Sequence, residues 1–288
     1  MKLSESKFPF ADAMLKGMGQ IMLQESALTG LLFLAGIFYG GIHMGMAAIL
    51  AVFCGTLTAK ILGYDREEIA SGLDGFSAAL IGVALMFYFQ PVLIVWIAVV
   101  FGSALATILQ HGFILRKISV FTLPFVLVTW IVIYVFHHVY PVGAPVSGFP
   151  KMPEVHNFTF ALRGFGQVIF QGSAIAGFIF FIAVFVHSPV AALYGIAGSV
   201  LGAMLALGFS MPVEGIEMGL FGYNAVLCAI AFSGEMPEDG IWALVSIAFS
   251  VLISVIMSKH GLVILTFPFV AGTCATLVFK KHIRVLRH

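Results

Sequence analysis

The phrase "GLDGFSAALIGVAL" (residues 72–85) is written a second time, with changes, as "GLFGYNAVLCAIAF" (219–232). Six of its fourteen positions are identical at an offset of 147. Two further blocks recur in the same order. "GQIMLQESALTGLLFLAGIF" (19–38) aligns without gaps on "GQVIFQGSAIAGFIFFIAVF" (166–185), with eight identities in twenty. "FTLPFV" (121–126) pairs with "LTFPFV" (265–270) at an offset of 144. Three blocks in one order at nearly one spacing mark an internal duplication. The first repeat is read as residues 1–140 and the second as 158–288, with the Pro/Gly-rich "PVGAPVSGFPKMPEVHN" (141–157) as an extracytoplasmic connector.

Composition sets the medium in which these repeats fold. Of 288 residues, 61% are hydrophobic and 9% charged, with mean hydropathy +1.09, whereas soluble domains carry about 25% charged residues. Apolar runs such as Val92–Leu109, Val190–Phe209 and Ile241–Met257 approach the roughly 20 residues that take a helix across a bilayer. The chain reads as an all-α polytopic membrane protein. First-half spans are expected at 12–40, 42–63, 77–89, 91–110 and 122–139. Five crossings per half, about ten in all, turn the second repeat upside down. With the N-terminus in the cytoplasm, eleven Lys and Arg residues fall on that side and three (Lys151, Arg163, Lys259) on the other. That bias is the one expected of inverted repeats with both termini cytoplasmic.

The repeated phrase adds one re-entrant half-helix per half. "DREEIASGLDG" (65–75) is eleven residues long, enough for about half of a 30 Å hydrocarbon core. Its acidic start suits a helix N-terminus, and Gly72 and Gly75 suit a left-handed end. The carbonyls left at such an end must face protein or a water-lined cavity. "VEGIEMGLFG" (213–222) reads the same way, so the two halves together would line one path. Two more polar features recur with it. Gln20 and Gln24, like Gln167 and Gln171, are expected on one helix face. Thr122 and Thr266 each precede a proline, Pro124 or Pro268, that begins or kinks a helix. Singly, such residues also serve to bond neighbouring helices; their joint recurrence favours a shared pathway.

Other chemistry is poorly represented. No basic patch with interleaved aromatics suits a nucleic acid, and no Ser/His/Asp set or phosphate-binding loop suits an enzyme. Cys54, Cys228 and Cys274 stand alone in apolar runs, as small hydrophobes do. The N-terminus has no signal-peptide pattern. His43, His111, His187, His260, His282 and His288 fall at segment ends and His137–His138 near an interface, none with metal-ligand spacing. No cofactor and no metal are expected. Asp74 stands apart: it is either functional beside the path, turned to water at its mouth, or paired.

A corridor of carbonyls, Gln amides and Thr hydroxyls between apolar walls suits a small, flat, neutral solute with several N–H donors, such as urea. The walls are expected from Phe76, Leu80, Tyr223, Leu227, Leu23 and Phe170. The three duplicated blocks also resemble the urea transporter family, whose signatures run Gly-Gln-Val, Gly-Leu-Tyr-Gly-Phe/Tyr-Asn-Gly and Thr-Leu-Pro-Phe. The resemblance spans nearly the whole chain. It implies ten spans plus two re-entrant helices, a homotrimer with one pore per protomer in the lipid bilayer of a bacterial inner membrane, and passive, channel-like transport. By position, it implies that Gln20 and Gln167 flank the solute sites and that Phe76 with Leu80, and Tyr223 with Leu227, wall two slots. Thr122 and Thr266 would bond solute midway, with Leu23 and Phe170 at the gates. The first half departs from the pattern at Asp74, Ser77, Ala78 and Leu23, which implies a wider or more polar slot. Two alternatives therefore stay open: a channel of this fold for another small amide or for ammonia, and a proton-coupled transporter using Asp74.

Overall fold

The computed structural model describes residues 8–145 and 159–286. The expected connector lies outside the described residues from position 146 onward, as do Lys2, Lys7, Lys151, Arg287 and His288. The chain divides into two compact units, Met1–Ser147 and Gly148–His288. The first holds α1 (Pro9–Gln20), α2 (Ala27–Gly40), α3 (Ile42–Ile61), α4 (Arg66–Ser71), α5 (Phe76–Tyr88), α6 (Leu93–Leu115) and α7 (Leu123–His138). The second holds α8 (Phe160–Gln167), α9 (Ala174–His187), α10 (Pro189–Gly208), α11 (Val213–Glu217), α12 (Tyr223–Ala231), α13 (Pro237–Lys259) and α14 (Phe267–Leu286). The described residues are all-α, as expected of a polytopic membrane protein. Among the described residues four helices, α3, α6, α10 and α13, are long and apolar enough to cross a bilayer.

Small residues hold each unit together. The buried positions of α3 include Gly45, Ala48, Ala51, Val52, Gly55 and Ala59, and those of α10 include Gly195, Gly198, Ser199, Gly202 and Ala206. In the first unit α3 packs on α5 and α6; in the second α10 packs on α12 and α13. The large apolar side chains point outward instead, among them Ile42, Ile49 and Phe53 on α3 and Leu193, Met204 and Leu207 on α10. Lipid offers no hydrophobic drive for helices to associate, so close backbone approach and dispersion supply it. Small inside and large outside is the pattern that results.

Two expectations need correcting. The span at 12–40 is not one helix: α1 stops at Gln20 and α2 begins at Ala27. Polar residues enforce the break. The Gln24 main-chain N–H donates to Gly19 O (3.1 Å) and its amide to Met22 O (2.7 Å), while Ser26 Oγ caps Thr29 N–H (3.2 Å). Gln24 therefore lies in the turn, not on a helix face with Gln20. The second unit repeats the device: Gln171 N–H donates to Gly166 O (2.9 Å), its amide donates to Ile169 O (3.1 Å), and Ser173 caps Ile175 N–H (3.2 Å). The half-helix is also shorter than eleven residues. Asp65 caps α4 by accepting from Glu67 and Glu68 N–H (2.8 and 3.2 Å), and after six helical residues Gly72 ends it at φ 82°.

Gly72 meets two demands at once. Its backbone is left-handed, and a Cβ there would run into Gly17 N of α1. Gly219 (φ 78°) stands in the same position against Gly164 N. Gly63 shares the conformation (φ 71°) but has open space around it. Gly63→Ala should thus lose only the conformational term, about 1–2 kcal/mol. Gly72→Ala should lose at least twice that. Thermal unfolding of the two variants in detergent measures the difference, and equal losses would contradict the close approach of α1 to the break.

Candidate functional site

Each unit builds the same clasp where α1 or α8 meets the half-helix. Gln20 Nε2 donates to Ser71 O (3.1 Å), and Gln167 Nε2 donates to Met218 O (3.0 Å). The side-chain amide thereby takes a carbonyl at the end of α4 or α11. Most neighbouring carbonyls are engaged too, which corrects the expectation of an open row. Glu68 O accepts from Leu73 N–H (3.3 Å), Ile69 O from Gly72 N–H (3.1 Å) and Gly72 O from Gly75 N–H (3.1 Å). In the second unit Gly215 O accepts from Leu220 N–H (3.0 Å), and Ile216 O from Gly219 N–H (2.9 Å). A carbonyl has two lone pairs, so one bond does not exhaust it.

The residues after each clasp are held in an uncommon conformation. Leu23 (φ 61°) and Phe170 (φ 59°) are left-handed although neither is glycine. Phe121 (φ 48°) and Leu265 (φ 46°) are likewise left-handed, one residue ahead of Thr122 and Thr266. Such backbones cost of order 1–3 kcal/mol each and concentrate where surrounding structure over-determines them, functional sites above all. Thr122 is the N-cap of α7, with Pro124 in the first turn, and Pro268 occupies the first turn of α14. The prolines therefore start helices and do not kink them, since a first-turn position needs no N–H. Both threonines are buried.

The expected walls stand one helical turn apart. Phe76 opens α5 with Leu80 four residues on, and Tyr223 opens α12 with Leu227 likewise. Phe76, Leu80 and Leu227 are buried. Only the second half ties its wall to the Thr-x-Pro turn through Asn224. The Tyr223 hydroxyl donates to Leu265 O, Asn224 Nδ2 donates to the same oxygen (3.1 Å), and Asn224 Oδ1 accepts from Phe269 N–H (3.2 Å). In the first half Ser77, 1% exposed, replaces Asn224, and its hydroxyl has no hydrogen-bond partner.

Asp74 joins a different group. Its carbonyl accepts from Thr107 Oγ1 of α6 (2.9 Å), while its buried carboxylate gathers with Glu68 and His111. His111 Nδ1 lies 3.3 Å from Glu68, and the Tyr64 ring stacks on the imidazole at 3.5 Å. Glu68 and His111 escaped the sequence reading because they stand on separate helices with no spacing motif. The one available signal was Asp74 itself, a carboxylate in an apolar stretch in need of a partner.

Replacing Asn224 by Ser would give the second half the chemistry of the first. It removes both Asn224 bonds and leaves Phe269 N–H buried, so Asn224→Ser should destabilise by about 1–3 kcal/mol. Ser77→Ala, which removes an unpartnered hydroxyl, should be close to neutral. Unfolding midpoints in detergent compare the pair.

The family model described as urea transporter matches residues 11–281. Urea transporter 1 of Ovis aries is 28% identical over 299 aligned positions, covering 94% of this chain and 76% of that protein. Urea transporter 1 of Mus musculus is 29% identical over 247 positions, covering 78% of this chain and 63% of that protein. A family match that takes in both units and every recurring block places the chain in the urea transporter family.

Proposed function

We propose that this protein conducts urea passively through a pore formed where its two repeats meet, the second repeat lying inverted with respect to the first. The duplicated clasp between Gln20 or Gln167 and the end of a half-helix carries the proposal. It is supported by the identical order of seven helices in each unit and by left-handed residues at matched positions. An odd number of crossings and the bias of Lys and Arg favour inversion, with both termini cytoplasmic. By family resemblance the assembly is a homotrimer in the inner membrane, and the protein is not an enzyme.

The physics of passage is a matter of replacing water. An amide taken from water with no new hydrogen bond loses roughly 2–7 kcal/mol, and every 1.4 kcal/mol of barrier is tenfold in rate. Carbonyls, the Gln amides and the hydroxyls of Thr122 and Thr266 offer acceptors to the solute's edges. Phe76, Leu80, Tyr223 and Leu227 press on its faces and admit only a flat molecule. A cation finds no compensating charge among these groups and is excluded. Leu23, at the position matched by Phe170, offers a smaller side chain in the same left-handed pose.

Stopped-flow light scattering on proteoliposomes tests the reading. Wild type should exceed empty vesicles in urea permeability. Thr122→Val and Gln20→Leu should each reduce it about tenfold, the equivalent of one hydrogen bond of about 1.4 kcal/mol. An imposed pH gradient should leave uptake unchanged, and a dependence abolished by Asp74→Asn would establish proton coupling instead. Permeability equal to empty vesicles ends the proposal. Leu23→Phe, which makes the gates alike, should lower acetamide flux more than urea flux in the same assay.

A further inference from the structure

Four polar atoms without hydrogen-bond partners converge beside the α4–α5 break: both carboxylate oxygens of Asp74, Glu68 Oε2 and His111 Nδ1. The three side chains present ligand atoms within 4.8 Å of one another. Asp74 is 2% exposed, and Thr107 bonds its carbonyl and not its carboxylate. Among the described residues no Lys or Arg pairs with Asp74. Glu68 and His111 face each other at 3.3 Å, but that contact leaves both Asp74 oxygens uncompensated. A buried carboxylate in such surroundings takes a proton or a cation, and one cation placed among the three side chains would answer all four atoms together.

We propose that Glu68, Asp74 and His111 bind one divalent cation of the zinc class. One imidazole and two carboxylates make a borderline donor set that suits zinc-like ions, with open positions for water. Calcium and magnesium ask for a larger shell of oxygens. Tyr64 stacked on the imidazole fixes the ring, the task that outer-shell groups perform at metal sites. The ligand atoms are buried, while the Glu68 and His111 side chains keep 24% and 15% of their surface and so place the site near the protein surface.

The second unit makes the cluster unnecessary for folding. At the matching positions it has Gly215 for Glu68 and Phe221 for Asp74. Val255 stands for His111, counted from the start of α13, which equals α6 in length at twenty-three residues. Seven helices form there in the same order without any of the three groups. The first-half triad is therefore an addition to the scaffold. A bound ion would tie α4, the turn into α5 and the last part of α6 at one point.

The test uses tag-free full-length protein in detergent, stripped with chelator and titrated with Zn²⁺ against a competing chromophore. One tight site per chain is expected, with X-ray absorption showing a single imidazole among oxygen donors. Asp74→Asn and His111→Gln should each weaken binding at least tenfold and abolish the Zn²⁺-induced rise in melting temperature. The wild-type measurements stand alone should a variant not fold. Absence of a tight site, binding unchanged in His111→Gln, or two imidazoles in the spectrum, as the His137–His138 pair would give, overturns the proposal.

Discussion

The structure depends on one constraint, that a helix broken inside lipid must still satisfy its main-chain groups. α4 ends after six residues and α11 after five, far short of a crossing. Each ending is made tolerable from the same source. The first helix of each unit, α1 or α8, brings a glycine close enough for backbones to touch, Gly17 at Gly72 and Gly164 at Gly219, and a glutamine whose amide reaches the end of the half-helix. Removing the glutamine takes its bond from Ser71 O or Met218 O, and enlarging the glycine forces the two backbones apart, so Gly-Gln appears in both repeats as a unit. The turn after it follows from the same need: α1 and α8 stop at the glutamine, and the chain reverses through a left-handed residue to begin the next helix.

Strain is thereby placed at matched points. Leu23 and Phe170, Phe121 and Leu265, and also Gly63 and Ser210, and Lys117 and Gly261, share positive φ at corresponding sites of the two units. In the last two pairs one partner is glycine and the other is not, so the conformation belongs to the path of the backbone and not to the residue chosen. At Leu23, Phe170, Phe121 and Leu265, by contrast, neither copy uses glycine. A side chain is retained there at energetic cost, which is what a position needing a side chain for its task looks like.

Much of this was legible in the sequence, and the failures have physical causes. The spans at 42–63, 77–89 and 122–139 appear as α3, α5 and α7 within a few residues, because Gly41, Gly75 and the Thr-x-Pro turn punctuate an otherwise apolar text. The span at 12–40 failed because its break is made by side chains of Gln24 and Ser26 bonding the nearby backbone, which hydropathy averages away. The half-helix was legible from Asp65 and Gly72, a cap at each end, but its engaged carbonyls were not, since Leu73 and Gln20 reach them only once the chain has folded. Asn224 could be seen as a departure between halves. Its clamp on Leu265 and Phe269 could not, because bonds between distant backbone groups leave no local pattern.

The two halves also show what duplication makes available. In the second, Tyr223 and Asn224 secure the Thr-x-Pro turn through Leu265, so that half gains definition from hydrogen bonds to the backbone. In the first, Phe76 and Ser77 offer no such bonds from those positions, and the polar groups lie on the other side of the break, where Asp74 draws in Glu68, His111, Thr107 and Tyr64. Phe221, Asp74's counterpart, is buried and apolar, so the site tolerates a side chain that asks for nothing. A carboxylate that can be replaced by phenylalanine on the same scaffold is not kept for packing. The cost of burying it has to be met by something the charge itself attracts.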